Sequence, residues 1–161
     1  MAQAHALARL LRGLTIDAAY ASDLSRALDT ATIALAGRRL PITSLVELRE
    51  RDYGAWDGMH DDEIPVRFPD EFARWEAGAS DGAANAESYA AAAERVGRVL
   101  QRIGDAHSAG TVLLVSHSGP VKVLHCLAHG FDYVRDRRSI PDARHGVLAQ
   151  YELRGGRLIV S

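Results

Sequence analysis

The feature of this sequence that most constrains its fold is a short, uninterrupted apolar run at residues 111–116, which reads TVLLVS. A strand that is apolar at consecutive positions is covered on both faces, which is typical of parallel sheets flanked by helices. The run ends directly at His117, and Gly119 then permits a turn into an amphipathic segment that ends at Gly130. The pattern therefore predicts a buried parallel strand that is followed at once by a helix.

Helical and extended segments alternate along the rest of the chain. Helices are predicted where apolar residues recur every three or four positions, at residues 2–11, 24–35, 61–78 (as one or two short helices) and 89–103. Strands are predicted at residues 16–21, 42–46, 147–153 and 158–160, the last two as a hairpin. Ser22 is predicted to cap the second helix. This order favours an α/β sandwich with a mostly parallel sheet.

The composition suits one compact domain over residues 1–161. Hydrophobic residues make up 47% of the chain, which is enough for a sizeable core. A formal net charge of −2 gives no electrostatic basis for binding nucleic acid or an acidic membrane. The one cysteine, Cys126, cannot form an internal disulfide, and no Cys/His cluster has zinc spacing. Because no transmembrane or signal-peptide pattern is found, we expect a cytoplasmic protein.

His117 is the strongest candidate for a functional residue. Ligands of open α/β sheets bind at the carboxyl ends of the strands, which is where the apolar run places His117. The helix that follows offers free N–H groups and a partial positive charge, and both suit an anion such as phosphate. The alternative is a histidine that only caps its own loop.

Two further segments contain residues that suit phosphate chemistry. Arg26 lies in the first turn of the second predicted helix, where a guanidinium can bind phosphate through two parallel hydrogen bonds. A solvated surface arginine is the alternative, since the chain has eighteen arginines. Glu50 lies near Tyr53 and Trp56 in a predicted loop. A partly dry pocket there raises a carboxyl pKa toward that of a general acid, although a polar surface loop explains the same spacing.

Taken together, these segments resemble the histidine phosphatase superfamily, whose members are phosphoglycerate-mutase-like. The matching segments follow the family's order over nearly the whole chain. They are a first helix around Gln3, SDLSRALDTA at residues 22–31, LRERDYGAWDG at 48–58, AES at 86–88 and VSHSG at 115–119. Each segment alone is common, and their order makes the resemblance specific. It implies a three-layer α/β/α sandwich with a mostly parallel sheet.

The resemblance also implies a mechanism in which a phosphoryl group passes to a histidine nucleophile, then to water or back to substrate. Arg26 would hold the phosphoryl oxygens and His117 would stabilise the transferring group. The Ser118 backbone N–H would be a further phosphate donor. Glu50 would protonate the leaving oxygen and later activate water. No metal and no cofactor are implied, and the expected ligand is a small phosphorylated substrate or inorganic phosphate.

The residues that follow Glu50 indicate which subfamily of the histidine phosphatases the chain resembles. Arg51 and Tyr53 are similar to residues of the phosphoglycerate mutase loop, which implies that they contact phosphate or substrate. Residues 61–78 have no counterpart of the mutase's arginine-pair insertion, which favours a metabolite phosphatase such as the α-ribazole-phosphate type. Mutase-type transfer and a non-catalytic phosphate-binding or interaction protein stay open as alternatives, and a homodimer is one assembly that the resemblance allows.

Two departures from the family pattern stand out. Ala86 replaces the glycine that precedes Glu87 and Ser88. The family's first strand carries an Arg-His-Gly motif whose histidine is the nucleophile, and no such motif lies near the start of this sequence. We interpret the same letters at residues 144–146, in a predicted loop before the hairpin, as coincidence. The expectation is an N-terminally truncated domain that lacks the first strand and the nucleophile.

Overall fold

The computed structural model describes residues 2–140, 148–154 and 157–160. Its helices are α1 (Ala2–Leu10), α2 (Ser25–Ala34), α3 (Ile64–Arg67), α4 (Pro69–Glu76), α5 (Tyr89–Ala106), α6 (Ser118–His129) and α7 (Tyr133–Asp136). Its strands are β1 (Ala18–Ser22), β2 (Ile42–Leu45), β3 (Val112–Val115), β4 (Tyr151–Arg154) and β5 (Arg157–Val160). Short 3-10 turns lie at Leu11–Gly13, Val46–Leu48 and Gly54–Trp56. At least one helix follows each of β1, β2 and β3, as the sequence pattern predicts, and three helices lie between β2 and β3.

The central sheet is parallel and has the strand order β2-β1-β3. Ala19 in β1 lies opposite Ile42 on one side and Leu113 on the other. Strands β4 and β5 form a separate antiparallel hairpin. In the described ranges, no strand pairs with the other edge of β3. The predicted parallel sheet and terminal hairpin are confirmed, whereas the loop motif at residues 144–146 lies outside the described residues.

Helices cover both faces of this sheet. In β1, Ala19 and Ala21 are buried in a cluster that includes residues of α1 and α2. Tyr20, which points to the opposite face, packs with Val99 and Ile103 of α5. The alternation follows from the two-residue period of a strand. The predicted α/β/α sandwich is therefore confirmed, with α1 and α2 on one side of the sheet and α5 on the other.

Helix α5 is a long amphipathic element and begins at a capped end. The Ser88 hydroxyl accepts a hydrogen bond from the Ala91 N–H at 3.1 Å, which satisfies one of the free N–H groups of the first turn. Val96 and Val99 are fully buried, and Val96 packs in a cluster with Val123 of α6. No helix in the described part of the chain has the length and apolar character needed to cross a membrane.

The N-cap predicted at Ser22 is wrong. Ser22 is the last residue of β1, and α2 begins three residues later, at Ser25. The chain needs two intervening residues to turn from the strand into the helix. The Ser22 hydroxyl accepts a hydrogen bond from the Leu24 N–H at 3.3 Å within that turn.

Candidate active site

The carboxyl ends of two neighbouring parallel strands bring Arg26 and His117 together. Strand β3 ends at Val115, two residues before His117, and β1 leads into the turn before α2, whose first turn carries Arg26. Arg26 Nε donates a hydrogen bond to His117 Nδ1 at 3.2 Å. The contact joins residues that are 91 positions apart in the sequence. It places the two predicted phosphate-contacting side chains at one edge of the sheet.

His117 is neutral in this environment. Its Nε2 lies 2.8 Å from the hydroxyl of the buried Ser22. Burial and then the Arg26 guanidinium lower the pKa of His117 to about 4, against a weaker opposite effect of the Asp23 carboxylate. Asp23 itself accepts hydrogen bonds from Arg49 at 2.6 and 2.7 Å, and this partner holds the pKa of Asp23 below its usual range.

Glu50 lies at the N-terminus of α6, the helix that His117 precedes. The Gly119 N–H donates to Glu50 Oε1 at 3.1 Å and to Oε2 at 3.2 Å, and the Arg51 N–H donates to Oε1 at 2.9 Å. A side chain on residue 119 would overlap Glu50 Oε1, so a glycine is required for this close approach. A carboxylate thus occupies a helix N-terminus, where the helix dipole favours negative charge.

An aromatic residue lies beside this carboxylate. Tyr133 of α7 is buried, and its ring meets the ring of Tyr89 edge-on at 5.8 Å between centroids. Burial raises the pKa of the Tyr133 hydroxyl above its usual value, and the nearby charge of Glu50 raises it further. A buried tyrosine pair thus lies on the side of Glu50.

The contacts of Arg51 and Tyr53 bear on the phosphate or substrate contact that the sequence predicts for both residues. The Arg51 side chain is 3% exposed, and its NH1 donates to the carbonyl oxygens of Asp81 at 2.8 Å and Glu87 at 2.7 Å. The guanidinium also stacks on the rings of Tyr53 and Tyr89, at 4.5 and 4.3 Å. These contacts favour a loop-anchoring role over the substrate contact predicted for Arg51. Tyr53 is partly exposed and stays a candidate for that contact.

The segment before Glu50 is tied to both β3 and α5. The Ser116 hydroxyl, just after β3, donates to the Leu48 carbonyl at 2.6 Å. Arg95 of α5 donates to both carboxylate oxygens of Glu87, at 2.8 and 2.7 Å, and to the Glu47 carbonyl at 2.7 Å. The bonds to the Glu47 and Leu48 carbonyls connect segments that are distant in sequence, and they fix the acid loop (residues 48–58, which include Glu50) against the sheet edge.

The sequence pattern does not predict two contributors to the site. Ser22 fits a helix cap in the sequence, although its position at the end of β1 places it at the same sheet edge as His117. Gly119 is predicted only as a turn residue, and its contact with Glu50 is not predicted. Ser118 is the first residue of α6, and its role as a phosphate donor stays a prediction. Among the described residues, no group of three or more His, Cys, Asp or Glu side chains is arranged to hold a metal ion.

Comparison with known proteins identifies the family. The model of the histidine phosphatase superfamily (branch 1) matches residues 1–158. This chain belongs to the histidine phosphatase superfamily. The ordered motifs in the sequence and the arrangement of Arg26, His117 and Glu50 agree with that membership.

Named members of the histidine phosphatase superfamily are similar to this chain in sequence. An adenosylcobalamin/alpha-ribazole phosphatase of Escherichia coli is 30% identical over 126 residues, which are 76% of this chain and 61% of that protein. Phosphoserine phosphatase 1 of Hydrogenobacter thermophilus is 31% identical over 131 residues, which are 81% of this chain and 62% of that protein. The chain thus spans about three fifths of the length of these curated relatives.

Solved structures of the histidine phosphatase fold superpose over nearly the whole chain. Bacillus stearothermophilus YhfR aligns with a TM-score of 0.86 at 29% identity, over 99% of this chain and 79% of that one. The alpha-ribazole phosphatase from Shigella flexneri aligns with a TM-score of 0.87 at 24% identity, with the same coverage. The second likeness supports the fold alone. Both agree with the α/β/α sandwich described above.

Proposed function

We propose that this protein is a phosphatase that hydrolyses a small phosphorylated metabolite. The observation that carries the proposal is the contact of Arg26 with His117 beside the N-terminus of α6. A permanent cation and an imidazole at one sheet edge, beside a helix N-terminus with its partial positive charge, are groups that can stabilise a transferring phosphoryl group. A carboxyl group, Glu50, lies at the same helix end and can move a proton.

The proposed reaction proceeds through a phosphohistidine. A histidine nitrogen attacks phosphorus, the bond from phosphorus to the substrate oxygen breaks, and Glu50 donates a proton to that oxygen. Water then attacks the phosphohistidine, Glu50 takes a proton from the water, and inorganic phosphate leaves. Arg26, His117 and the Ser118 N–H stabilise the negative charge of the phosphoryl oxygens in both steps. Tyr53 contacts the rest of the substrate, and Arg51 fixes the loop that carries Glu50.

We also propose that the nucleophile is supplied from outside residues 1–161. The sequence has seven histidines, and among the described ones only His117 directly follows the central sheet. His5 lies within α1, and His107 follows α5. A nucleophilic histidine of the family kind ends a strand. The edge of β3 that no described strand pairs with offers the place for such a strand beside His117.

The substrate class is inferred from the relatives and from the short segment between Glu50 and α5. The two curated relatives above are named as an adenosylcobalamin/alpha-ribazole phosphatase and a phosphoserine phosphatase. The helices between Glu50 and α5 are short, α3 with 4 residues and α4 with 8. Within the proposal, α-ribazole phosphate and phosphoserine are therefore the first substrates to test, and 3-phosphoglycerate tests the mutase alternative.

The deciding experiment compares the 161-residue chain with a chain extended by the residues encoded immediately upstream. Both are assayed with an aryl phosphate, α-ribazole phosphate, phosphoserine and 3-phosphoglycerate. We expect hydrolysis by the extended chain and none by the shorter one. In the extended chain, Arg26→Gln lowers kcat/KM about a hundredfold, which is the cost of losing one essential oxyanion donor. Arg12→Gln, which changes an exposed arginine in the turn after α1, leaves it unchanged.

Each alternative has its own outcome in this assay. Isomerisation of 3-phosphoglycerate without release of phosphate indicates a mutase. Binding of inorganic phosphate that is lost in Arg26→Gln, with no turnover by either chain, indicates a non-catalytic phosphate-binding protein. Equal hydrolysis by both chains contradicts the proposal that the nucleophile comes from outside residues 1–161.

A further inference from the structure

The hydrogen bonds of His117 define which ring nitrogen carries the proton. Arg26 Nε donates to Nδ1 at 3.2 Å, and a guanidinium has no acceptor to offer in return. Nδ1 must therefore present its lone pair, and the proton of the neutral ring lies on Nε2. The Nε2–H then donates to the Ser22 hydroxyl oxygen, 2.8 Å away.

Ser22 is well placed to accept this hydrogen bond. Its side chain is completely buried, and it is the last residue of β1, opposite Leu45 of β2. The Ser22 oxygen also accepts the N–H of Leu24 at 3.3 Å. A hydroxyl oxygen has two lone pairs, so it can accept both bonds at once. The sheet and the turn after it thus hold this oxygen at a fixed place beside the ring.

We propose that Ser22 is a positioning residue for His117: it fixes the Nε2–H tautomer and so leaves Nδ1, on the side of Arg26 and the phosphate site, as the nitrogen that gains or loses a proton. The consequence for catalysis rests on the proposed function. The tautomer itself does not, because it is a property of the protein without substrate. In the other tautomer, the Nδ1–H would face the Nε–H of Arg26, and two donors would meet.

The Ser22 contact also keeps the ring in place when its charge changes. Nε2 carries a proton in both the neutral and the protonated ring, so the bond to Ser22 is retained in either state. Only Nδ1 changes, and it lies on the side of Arg26. An oxygen of a bound tetrahedral anion can then accept hydrogen bonds from Arg26 and from a protonated Nδ1 together. Ser22 thus holds the orientation of the ring while Nδ1 gains or loses a proton.

The test measures the ring nitrogens directly. Long-range proton–nitrogen NMR spectra of the uniformly 15N-labelled 161-residue chain give the shifts of Nδ1 and Nε2, and His117→Gln assigns them. We expect Nε2 to be protonated and Nδ1 to be unprotonated at neutral pH. In Ser22→Ala the two shifts move toward each other as the tautomers mix, and Ser22→Thr, which keeps a hydroxyl, restores them. Ser25→Ala, which alters an exposed serine in the same turn, is the matched control.

Anion binding supplies a second readout with sulfate as the probe, because its charge is constant near neutral pH. Ser22→Ala should raise the sulfate dissociation constant roughly threefold to tenfold, the usual effect of losing one hydrogen bond. A protonated Nδ1 in the wild-type chain overturns the proposal, even if Ser22→Ala does not fold. Unchanged ring shifts in a folded Ser22→Ala also overturn it. Neither readout needs turnover, so a failure here is distinct from a failure of the proposed phosphatase activity.

Discussion

At the scale of single residues, His117 links the stability of the fold to pH. Its pKa is lowered to about 4 in the folded chain, from about 6.5 in an unfolded one. Between these values the unfolded state binds more protons, so this contribution to stability is complete above about pH 6.5 and is lost as the pH falls toward 4. We therefore expect wild-type protein to lose more stability than His117→Gln over that interval.

Urea unfolding at a series of pH values from about 7.5 to about 4.5 measures this difference. His125 is a necessary control, because burial and then His129 also lower its pKa. His125→Gln should retain the contribution of His117. Parallel stability curves for the wild type and His117→Gln would show that folding does not lower the pKa of His117.

Gly119 is a second residue whose replacement has a specific expected result. A methyl group at this position would overlap Glu50 Oε1, and the flexible carboxyl group would have to leave the N–H groups that hold it. We expect Gly119→Ala to lower the kcat of the extended chain by about tenfold or more, since a general acid supplies a factor of about 100 or more. The helix preference of alanine, about 0.5–1 kcal/mol in a helix interior, is offset by the loss of the hydrogen bonds to Glu50, so the free energy of unfolding should change little.

Gly97→Ala is the matched control for this substitution. Gly97 lies in the interior of α5, and nothing lies within 4 Å of the position of an added methyl group. This variant should gain about 0.5–1 kcal/mol of stability and keep its activity. Full activity in Gly119→Ala would show that Glu50 works from a different position than the one described here.

At the scale of elements, Arg51 connects the acid loop to the segment before α5. It is buried, donates to the carbonyls of Asp81 and Glu87, and stacks between two tyrosines. Arg51→Met should lower the free energy of unfolding by about 2–4 kcal/mol, because it removes charged hydrogen bonds and leaves two carbonyl groups without these donors. Urea denaturation measures the loss.

Arg98→Met provides the comparison. Arg98 is exposed on α5 and pairs with Glu94 one turn away, so its loss should cost at most about 0.5 kcal/mol. A loss of unfolding free energy below about 1 kcal/mol for Arg51→Met would contradict the anchoring role. Contact with the substrate would then be the role left for Arg51.

The elements themselves were predictable where a repeating apolar pattern was long enough. The apolar run at β3, the stripe along α5 and the glycine after α6 each predict the element that the structure contains. The contacts of Arg51 were not predictable, since they join residues 30 and 36 positions apart through backbone carbonyls. The same is true of Ser22, because a serine before a helical pattern fits both a helix cap and a strand end.

At the scale of the whole molecule, the order of motifs predicts the family and the layered architecture. What the order does not predict is which strands of the parallel sheet lie next to one another, with β1 between β2 and β3. That arrangement depends on which strand edges are available for pairing, and a linear pattern of apolar residues contains no information on neighbours. The position of Glu50 against α6 likewise depends on how two distant segments pack.

The edge of β3 has a consequence for the exchange of amide protons with solvent. In a parallel strand, successive N–H groups point alternately to the two sides. Strand β1 has partners on both sides, so its interior amides should exchange slowly without interruption. In β3, every second amide points to the edge that no described strand covers, and slow and fast exchange should alternate from residue to residue.

Deuterium exchange followed by NMR resolves this alternation along β3. Uniformly slow exchange in β3 would contradict the strand order described here. In an extended chain, a strand that pairs with this edge would slow the fast amides and leave the others unchanged. The exchange rates of a four-residue strand would then show, without any assay of activity, whether additional residues complete the sheet beside His117.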